Sequence, residues 1–198
     1  MSAQGRPRVY LASQSPRRRE LLAQIGLHFA VLAVEVDETP RPGEAAQDLV
    51  QRLAIEKAQA GLTLLETGNP GPVLGADTEV VVDGEVLGKP RDEEDAAAML
   101  ARLSGRSHEV LSAVALATPE RVAVRLSVST VWFRATTPAE RAAYCATGEP
   151  LDKAGAYAIQ GLAAVFVRRL EGSYSGVMGL PLYETEALLR ELGSPLLG

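Results

Sequence analysis

The chain has 198 residues, of which 46% are hydrophobic and 23% charged, a composition typical of a globular protein and unlike that of a disordered one. Its formal net charge at pH 7 is −5, which argues against a general DNA- or RNA-binding protein. Cys145 is the single cysteine, so the sequence has neither a disulfide framework nor a cysteine-rich zinc site. Residues 1–10 lack the apolar core of a signal peptide and no apolar run is long enough to span a membrane, so we expect a cytoplasmic protein.

The first third of the chain alternates predicted strands with predicted helices. A strand over 8–12 leads to Ser15, a favourable N-cap residue, and to Pro16, which is favoured at the first helical position. That helix ends at Gly26, and a second strand is predicted over 29–36. An amphipathic helix follows a proline-containing loop, and the residues along its apolar face are Ala46, Val50, Leu53, Lys57 and Ala60.

The remainder of the chain is richer in strands. A short apolar strand over 73–76 ends at Asp77, and residues 80–87 form a predicted hairpin with an Asp-Gly turn. The later predicted elements are a helix from Asp92 to Gly105, strands over 109–117 and 122–133, a helix opened by the capping box over 137–140, a strand near 163–170 and a helix near 182–192.

This order of elements predicts the fold class. Strands that alternate with crossover helices indicate an α/β domain, whereas the long runs late in the chain indicate antiparallel pairing and therefore a mixed sheet. Because the sequence contains no internal repeat, low-complexity tract or linker, we predict a single domain over residues 1–198.

The segment 13–19, Ser-Gln-Ser-Pro-Arg-Arg-Arg, lies where a predicted strand enters a helix, a place where free backbone N–H groups attract anions. Its three arginines oppose the helix dipole, typically at about 0.3–1 kcal/mol each, and bound phosphate groups would reverse that effect. The alternative is that the arginines are solvated charges paired with Glu20. The two serines and the proline favour phosphate binding. The predicted phosphate ligands are Ser13, Ser15, Arg17 and Arg18.

Acidic residues follow two of the predicted strands. Asp77, with Thr78 after it, ends the strand over 73–76, and ligands of α/β proteins bind at such strand ends. An aspartate there can hold a metal ion or accept a proton from attacking water, and a role as a turn cap is less favoured. Glu38 ends the second predicted strand and could share a hard cation with Asp77, although an exposed loop acid is the more common fate of such a residue.

Lysine is rare in this chain: of 20 basic residues, three are lysines, namely Lys57, Lys89 and Lys153. Such a lysine can supply a compact charge that a planar guanidinium does not imitate, although chance is an equal explanation for any one of them. Lys57 either extends to solvent from its helix or reaches a buried anion. Gln160 offers a donor and an acceptor that match the edge of uracil or thymine, although a loop-stabilising hydrogen bond is the simpler interpretation.

Two other patterns do not support a different reaction class. Residues 84–89 resemble a P-loop but are one residue short, and Pro90 replaces the required serine or threonine. His28 and His108 stand far apart without the spacing of a zinc site, and we interpret His108 as a strand-entry residue rather than a catalytic base.

These motifs together resemble those of the Maf family of nucleotide pyrophosphatases, from residue 11 to about residue 189. Each motif alone is weakly diagnostic, but their shared order across nearly the whole chain is specific, and all three lysines fall within them. The motifs are SQSPRR (13–18), DE (37–38), KA (57–58), GADT (75–78), KP (89–90), LSG (103–105) with His108, GEP (148–150), DKAGAYAIQG (152–161), GSY (172–174) and GLP (179–181).

The resemblance implies a Maf/ITPase-like fold, with one mixed sheet, flanking helices and a substrate cleft, in a protein that is often a homodimer. The implied reaction converts a nucleoside triphosphate to the monophosphate and pyrophosphate with Mg²⁺ or Mn²⁺, as house-cleaning of nucleotide pools. The segment 152–161 resembles the branch that acts on dTTP and UTP. Ala158 departs from the glycine expected there in many relatives, which puts the width of that loop in doubt.

The resemblance also implies roles for individual residues. Asp77 would be the proton acceptor, and Glu38 would lie near the metal ion with it. The residues implied to hold the triphosphate are Ser13, Arg17, Lys57 and Lys89. The residues implied to determine substrate choice are Arg18, Thr78 and Gln160.

Two alternatives stay open at this point. A sister branch of the family hydrolyses 7-methyl-GTP, and Gln160 argues against it because a single amide fits a pyrimidine edge well. The other alternative is a nucleotide-binding regulator of septum formation without significant turnover. The presence of Asp77, Lys57 and Lys89 together argues against that second alternative.

Overall fold

The computed structural model describes residues 8–65 and 71–197, so residues 1–7, 66–70 and 198 of the predicted domain lie outside the described part. The strands are β1 (Val9–Leu11), β2 (Phe29–Val31), β3 (Val73–Val82), β4 (Glu85–Leu87), β5 (Ser107–Ala117), β6 (Val122–Phe133) and β7 (Val167–Glu171). The α-helices are α1 (Pro16–Gln24), α2 (Ala46–Leu64), α3 (Glu93–Leu103), α4 (Pro138–Cys145), α5 (Tyr174–Met178) and α6 (Leu182–Glu191). Short 3₁₀ turns lie over Glu149–Asp152, Ala154–Ala156 and Leu162–Phe166.

The strands form one mixed sheet in the order β2-β1-β3-β5-β6-β7, with β4 paired to β3. β1 is parallel to both β2 and β3, and the pairs from β3 through β7 are antiparallel. The predicted α/β fold with a mixed sheet and flanking helices is therefore confirmed. Within the described residues, none of the helices is long and apolar enough to cross a lipid bilayer.

β3 is the central strand, and its two edges are paired differently. Along one edge it pairs with β5 without interruption from Val73 to Val81. Along the other edge it pairs with β1 at residues 73–74 and with β4 at residues 80–82. Among the described strands, none pairs with residues 75–79 on that second edge, so the sheet has a gap there.

This pairing corrects the predicted position of Asp77. We expected a strand to end at residue 76 and a separate hairpin to begin at residue 80, but β3 is one strand from Val73 to Val82. The continuous ladder to β5, in which Asp77 pairs with Ala113, carries the strand through the polar residues. Asp77 thus lies in the middle of a strand, at the gap in the sheet edge.

Two other predicted strands differ in extent. The strand predicted over 29–36 ends at Val31 because its partner, β1, ends at Leu11, and the last backbone hydrogen bond runs from Leu32 N–H to Leu11 O at 2.8 Å. The strand predicted near 163–170 begins only at Val167, after a 3₁₀ turn.

Helix ends are mostly formed as predicted. Thr137 and Glu140 form both hydrogen bonds of a capping box, and the Asp92 side chain accepts the N–H of Asp95. Ser15 occupies the N-cap position of α1, but its side chain makes no capping hydrogen bond. The backbone N–H of Ser15 instead donates to Ser13 Oγ at 3.2 Å.

Helices cover both faces of the sheet near β3. Leu21 and Leu22 of α1 and Leu188 of α6 pack with Leu74 of β3 on one face. On the opposite face, α2 lies so close to β3 that a Cβ atom at Gly75 would come within 2.2 Å of Ala54 O. Glycine at residue 75 therefore sets the distance between α2 and the strand that carries Asp77.

Candidate active site

A cavity of about 760 Å³ opens at the gap in the edge of β3. Its walls come from the β1–α1 turn, the segment before α2, α2 itself, the middle of β3, the end of β4, β5, and residues 152–160 and 177–179. The cavity brings together every site residue predicted from the sequence, although their roles stay predictions. These residues are Ser13, Ser15, Arg17, Arg18, Glu38, Lys57, Asp77, Thr78, Lys89 and Gln160.

Lys57 of α2 lines the cavity and contacts two acidic side chains. Its ammonium group contacts Asp77 Oδ1 at 2.7 Å and Glu38 Oε1 at 2.6 Å. The side chains of Lys57 and Asp77 are 11% and 9% exposed, whereas that of Glu38 is 54% exposed. Because α2 packs closely on β3, this lysine of an otherwise apolar helical face reaches a buried anion instead of extending to solvent.

The charge of Lys57 also acts on Glu38. Partial burial alone would raise the pKa of the Glu38 carboxyl, but the hydrogen bond and positive charge of Lys57 outweigh burial and hold that pKa below its usual value. Lys89, which is exposed on the cavity wall, lowers the Glu38 pKa further. Glu38 therefore carries a negative charge beside Asp77 at neutral pH.

Glu79 is a cavity residue that the sequence reasoning missed. It lies two residues after Asp77 on the same face of β3, and the Asp-Thr-Glu alternation in a strand was the signal that could have indicated it. Burial, together with the charges of Asp77 and Glu38, raises the pKa of Glu79 to about 8. Asp77 Oδ2 and Glu79 Oε2 are both buried and have no hydrogen-bond partner among the described residues.

The chemistry of these oxygens suits a divalent cation, because hard cations prefer carboxylate oxygens. Over residues 8–65 and 71–197, no three histidine, cysteine, aspartate or glutamate side chains converge closely enough to hold a metal ion by themselves. Mg²⁺ commonly binds one or two carboxylates and takes its other ligands from substrate phosphates and water. Asp77 and its acidic neighbours fit that mode of binding.

Arg18 and Thr78 meet at the backbone of Gly179. Arg18 donates to Gly179 O at 2.8 Å and to Ser13 Oγ at 3.2 Å, and burial lowers the pKa of its guanidinium. Thr78 Oγ1 lies 3.4 Å from Gly179 O and 3.0 Å from Ser112 Oγ. Gly179 has a φ of 125°, which favours glycine at the centre of this contact.

Two further cationic side chains, Arg17 and Lys153, meet where α1 faces the 3₁₀ turn over Glu149–Asp152. Arg17 pairs with Asp152 at 3.0 Å. Lys153 also contacts the Asp152 carboxylate and donates to Glu149 O at 2.6 Å. Asp152 thus joins the two cations at one wall of the cavity, and its burial is outweighed by their hydrogen bonds, so its pKa lies below the usual value.

Tyr157 is another lining residue that we did not predict. Its hydroxyl lies 2.8 Å from His108 Nε2, and both side chains are buried. Burial lowers the pKa of His108 to about 4, so the ring is neutral at pH 7. His108 itself does not line the cavity, which agrees with its interpretation as a structural residue at the start of β5.

Comparison with known proteins shows which family this chain resembles. The family described as "Maf-like protein" matches residues 8–192. The dTTP/UTP pyrophosphatase of Saccharophagus degradans is 57% identical over 189 residues, which cover 95% of this chain and 90% of that protein. The dTTP/UTP pyrophosphatase of Bordetella parapertussis is 57% identical over 193 residues, which cover 94% and 93% of the two chains.

One solved structure shows a more distant likeness. The Staphylococcus aureus Ham1 protein has a TM-score of 0.46 and 17% sequence identity to this chain, and the match covers 63% of this chain and 71% of the other. The match to the family, by contrast, runs from β1 to the end of α6 and includes every segment that lines the cavity. The chain therefore belongs to the Maf-like protein family.

Proposed function

We propose that this protein hydrolyses dTTP and UTP to the nucleoside monophosphate and pyrophosphate. The observation that carries the proposal is the buried Lys57–Asp77 pair at the gap of β3, in which Asp77 Oδ2 has no hydrogen-bond partner within residues 8–65 and 71–197. Arg17 and Arg18 face the same cavity, so it combines a carboxylate with several cations. Relatives at 51–57% identity that bear the name dTTP/UTP pyrophosphatase support the same assignment.

Asp77 is the proposed proton acceptor. Lys57 holds its Oδ1 atom and orients the carboxylate, which leaves Oδ2 as an acceptor for a proton from water. The water oxygen attacks the α-phosphorus, the bond from that phosphorus to the bridging oxygen breaks, and its electron pair leaves with pyrophosphate. Arg17, Lys57 and Lys89 would stabilise the negative charge that develops on the phosphate oxygens.

We further propose that the cofactor is Mg²⁺ or Mn²⁺. Asp77 and Glu38 would hold it, and Glu79 supplies a third acidic side chain in the same cavity. When bound, the cation would neutralise phosphate charge and polarise the phosphorus–oxygen bonds. The buried Glu79 Oε2 atom, which has no hydrogen-bond partner in the described part of the chain, supports this choice of cofactor.

We propose that Gln160 recognises the base of the nucleotide. Its exposed side chain lies on the cavity wall, and its amide can pair with the O4 and N3–H edge of uracil or thymine. Cytosine presents the reverse pattern, so a fixed amide would leave buried groups unpaired at a cost of about 1–3 kcal/mol each. We therefore expect dTTP and UTP to be preferred over CTP.

A nucleotide panel tests the proposal. Purified protein is incubated with dTTP, UTP, CTP, ATP and 7-methyl-GTP in the presence of Mg²⁺ or Mn²⁺, and pyrophosphate, orthophosphate and nucleotide products are measured separately. We expect monophosphate and pyrophosphate from dTTP and UTP, and loss of activity on chelation. Diphosphate and orthophosphate as products would refute attack at the α-phosphorus, and a preference for 7-methyl-GTP would refute the assignment to the pyrimidine branch.

A matched pair of variants tests the role of Asp77. Asp77→Asn keeps the side-chain size but removes the proton acceptor, so we expect a loss of kcat of about 10²-fold or more with the fold retained. Asp83→Asn makes the same change at an exposed residue that pairs with Arg106, and we expect near-normal kcat. Near-normal kcat in Asp77→Asn would rule out this residue as the base.

We also propose that the protein acts as a homodimer in the cytoplasm and does not bind nucleic acid. The family resemblance supports the dimer, and the net charge of −5 gives no electrostatic attraction to a polyanion. Light scattering at several protein concentrations measures the mass in solution, and a mass of about 21.0 kDa at all of them would refute the dimer.

A further inference from the structure

We propose that Glu149 and Tyr144 are positioning residues for substrate choice, because together they hold the backbone segment that carries Gln160. The proposal rests on the proposed role of Gln160 as the reader of the base. Neither residue lines the cavity, so an effect of either side chain on selectivity is indirect, and the side-chain hydrogen bonds of both lead to the segment 158–162.

The two residues hold both ends of that segment. Glu149 Oε2 accepts the backbone N–H of Leu162 at 3.1 Å, and Glu149 Oε1 accepts the hydroxyl of Tyr144 at 2.8 Å. The Tyr144 hydroxyl in turn accepts the backbone N–H of Ala158 at 3.2 Å. One connected pair of side chains therefore fixes the residues two before and two after Gln160.

The segment is also packed directly against the Glu149 carboxylate. A Cβ atom at Gly161 would lie 2.3 Å from Glu149 Oε1 and 2.5 Å from its Cδ, so no larger residue fits there without displacing the carboxylate. The N–H of Gly161 donates to Ala158 O at 3.0 Å, which closes a turn with Gln160 inside it. The carboxylate thus restrains the turn by contact as well as by hydrogen bonds.

Tyr144 is a rigid support for this arrangement. It lies near the end of α4, is 5% exposed, and packs edge-to-face on Phe166 with the ring centroids 5.5 Å apart. Burial, with the hydrogen bond to Glu149, raises the pKa of its hydroxyl, so the group stays protonated and remains a donor. Glu149, the partner of Tyr144, is itself held by its backbone N–H, which donates to Thr147 Oγ1 at 3.2 Å.

The restraint has a consequence for base discrimination. An amide can meet the reversed pattern of cytosine by rotation about its terminal side-chain bond, which the backbone does not prevent, but a mobile backbone also lets the rotated amide move to a better hydrogen-bonding position. With the turn held, the Gln160 side chain starts from one fixed Cα position. Release of the turn should therefore reduce discrimination between uracil and cytosine more than it reduces the chemical step.

Three variants separate positioning from chemistry. Glu149→Ala removes both acceptors, and Tyr144→Phe removes the hydroxyl that links Ala158 to Glu149. Glu149→Gln is an intermediate change, since its amide oxygen can accept the Leu162 N–H, but its NH₂ group then faces the Tyr144 oxygen and leaves the tyrosine O–H without its acceptor. Tyr183→Phe is the matched control for the tyrosine, because Tyr183 is 82% exposed.

The measured quantity is the ratio of kcat/KM for UTP to kcat/KM for CTP. We expect Glu149→Ala and Tyr144→Phe to lower this ratio about fivefold to tenfold, on the order of one lost hydrogen bond. We expect Glu149→Gln, which loses one of the two contacts, to lower the ratio less than Glu149→Ala does, and we expect the control to retain the wild-type ratio. Equal losses for both nucleotides in the first two variants would show a structural role only and would overturn the proposal.

Gln160→Leu distinguishes the failure of this proposal from failure of the proposed function. If Gln160→Leu leaves the ratio unchanged, Gln160 does not read the base and the proposed function is wrong in that respect. If Gln160→Leu lowers the ratio but Glu149→Ala and Tyr144→Phe do not, the positioning proposal is wrong. When Glu149→Ala is added to Gln160→Leu, we expect no further change in the ratio of kcat/KM for UTP to kcat/KM for CTP.

Hydrogen exchange gives a readout that does not depend on activity. The amides of Ala158, Gly161 and Leu162 should exchange at least about tenfold faster in Tyr144→Phe and Glu149→Ala than in wild type. Unchanged exchange in the folded variants would overturn the proposal whatever the kinetics show. If Glu149→Ala does not fold, Tyr144→Phe alone decides the question.

Discussion

Replacement of Lys57 by methionine should destabilise the protein even without nucleotide. The substitution keeps an unbranched side chain but removes the charge that faces Asp77, whose carboxylate is 9% exposed. Removal of one partner from a buried ion pair commonly costs about 3–5 kcal/mol because the other charge is left without compensation. The second partner, Glu38, is 54% exposed and should add little to this loss.

Lys89→Met is the matched control, because Lys89 is an exposed lysine on the wall of the same cavity. We expect it to change the free energy of unfolding by less than about 0.5 kcal/mol, as for most surface substitutions. Both variants should lower kcat/KM, since both remove a cation from the proposed phosphate site. Only the Lys57 variant should combine that loss with a loss of stability.

Thermal unfolding in the absence of nucleotide and metal ions is the assay. For a protein of this length, about 3–5 kcal/mol corresponds to a decrease in Tm of about 6–20 °C. Addition of Asp77→Asn to Lys57→Met should recover most of the decrease, because it removes the uncompensated charge. Equal Tm values for the two lysine variants, or no recovery in the double variant, would refute the buried-pair reasoning.

Three further predictions concern other parts of the site and its support. In chemical denaturation, Gly75→Ala should destabilise the protein by about 1–3 kcal/mol, because the new Cβ would lie 2.2 Å from Ala54 O. The control Gly88→Ala should be nearly neutral, because its Cβ would meet open space. Glu79→Gln should weaken Mn²⁺ binding about tenfold in calorimetry without lowering apo stability, and unchanged binding would exclude this carboxylate from the cation site. The pKa of His108 in the folded state, about 4, lies below the ordinary value of 6.5. The stability that the neutral, buried His108 ring contributes is therefore complete above pH 6.5 and declines as the pH falls toward 4. In His108→Phe, the free energy of unfolding should therefore fall by up to about 3 kcal/mol less between pH 6.5 and pH 4 than in wild type. An unchanged slope would contradict the lowered pKa of His108.

The parts of the site that could be predicted depend on local chemistry. The turn over 13–18 was predictable because Pro16 at the start of a helix and a strand before it are neighbours in sequence. The three lysines stood out by rarity alone, and Lys57 was indicated because a charge interrupts an apolar helical face. These signals need no knowledge of how distant segments pair.

The parts that escaped prediction depend on long-range pairing. β3 continues through Asp77 because β5 supplies its ladder, and nothing near residue 77 shows this. Glu79 enters the cavity only because that strand is continuous. The contact between His108 and Tyr157, and that between Glu149 and Gly161, join segments that the fold brings together.

The gap between β1 and β4 has a consequence for how this protein can be stabilised. A longer β1, or a longer β4, would extend the ladder along residues 75–79 and add backbone hydrogen bonds to the sheet. The same extension would fill the opening through which Asp77 and Glu79 face the cavity. Substitutions that lengthen either strand should therefore raise thermal stability and lower turnover at the proposed site.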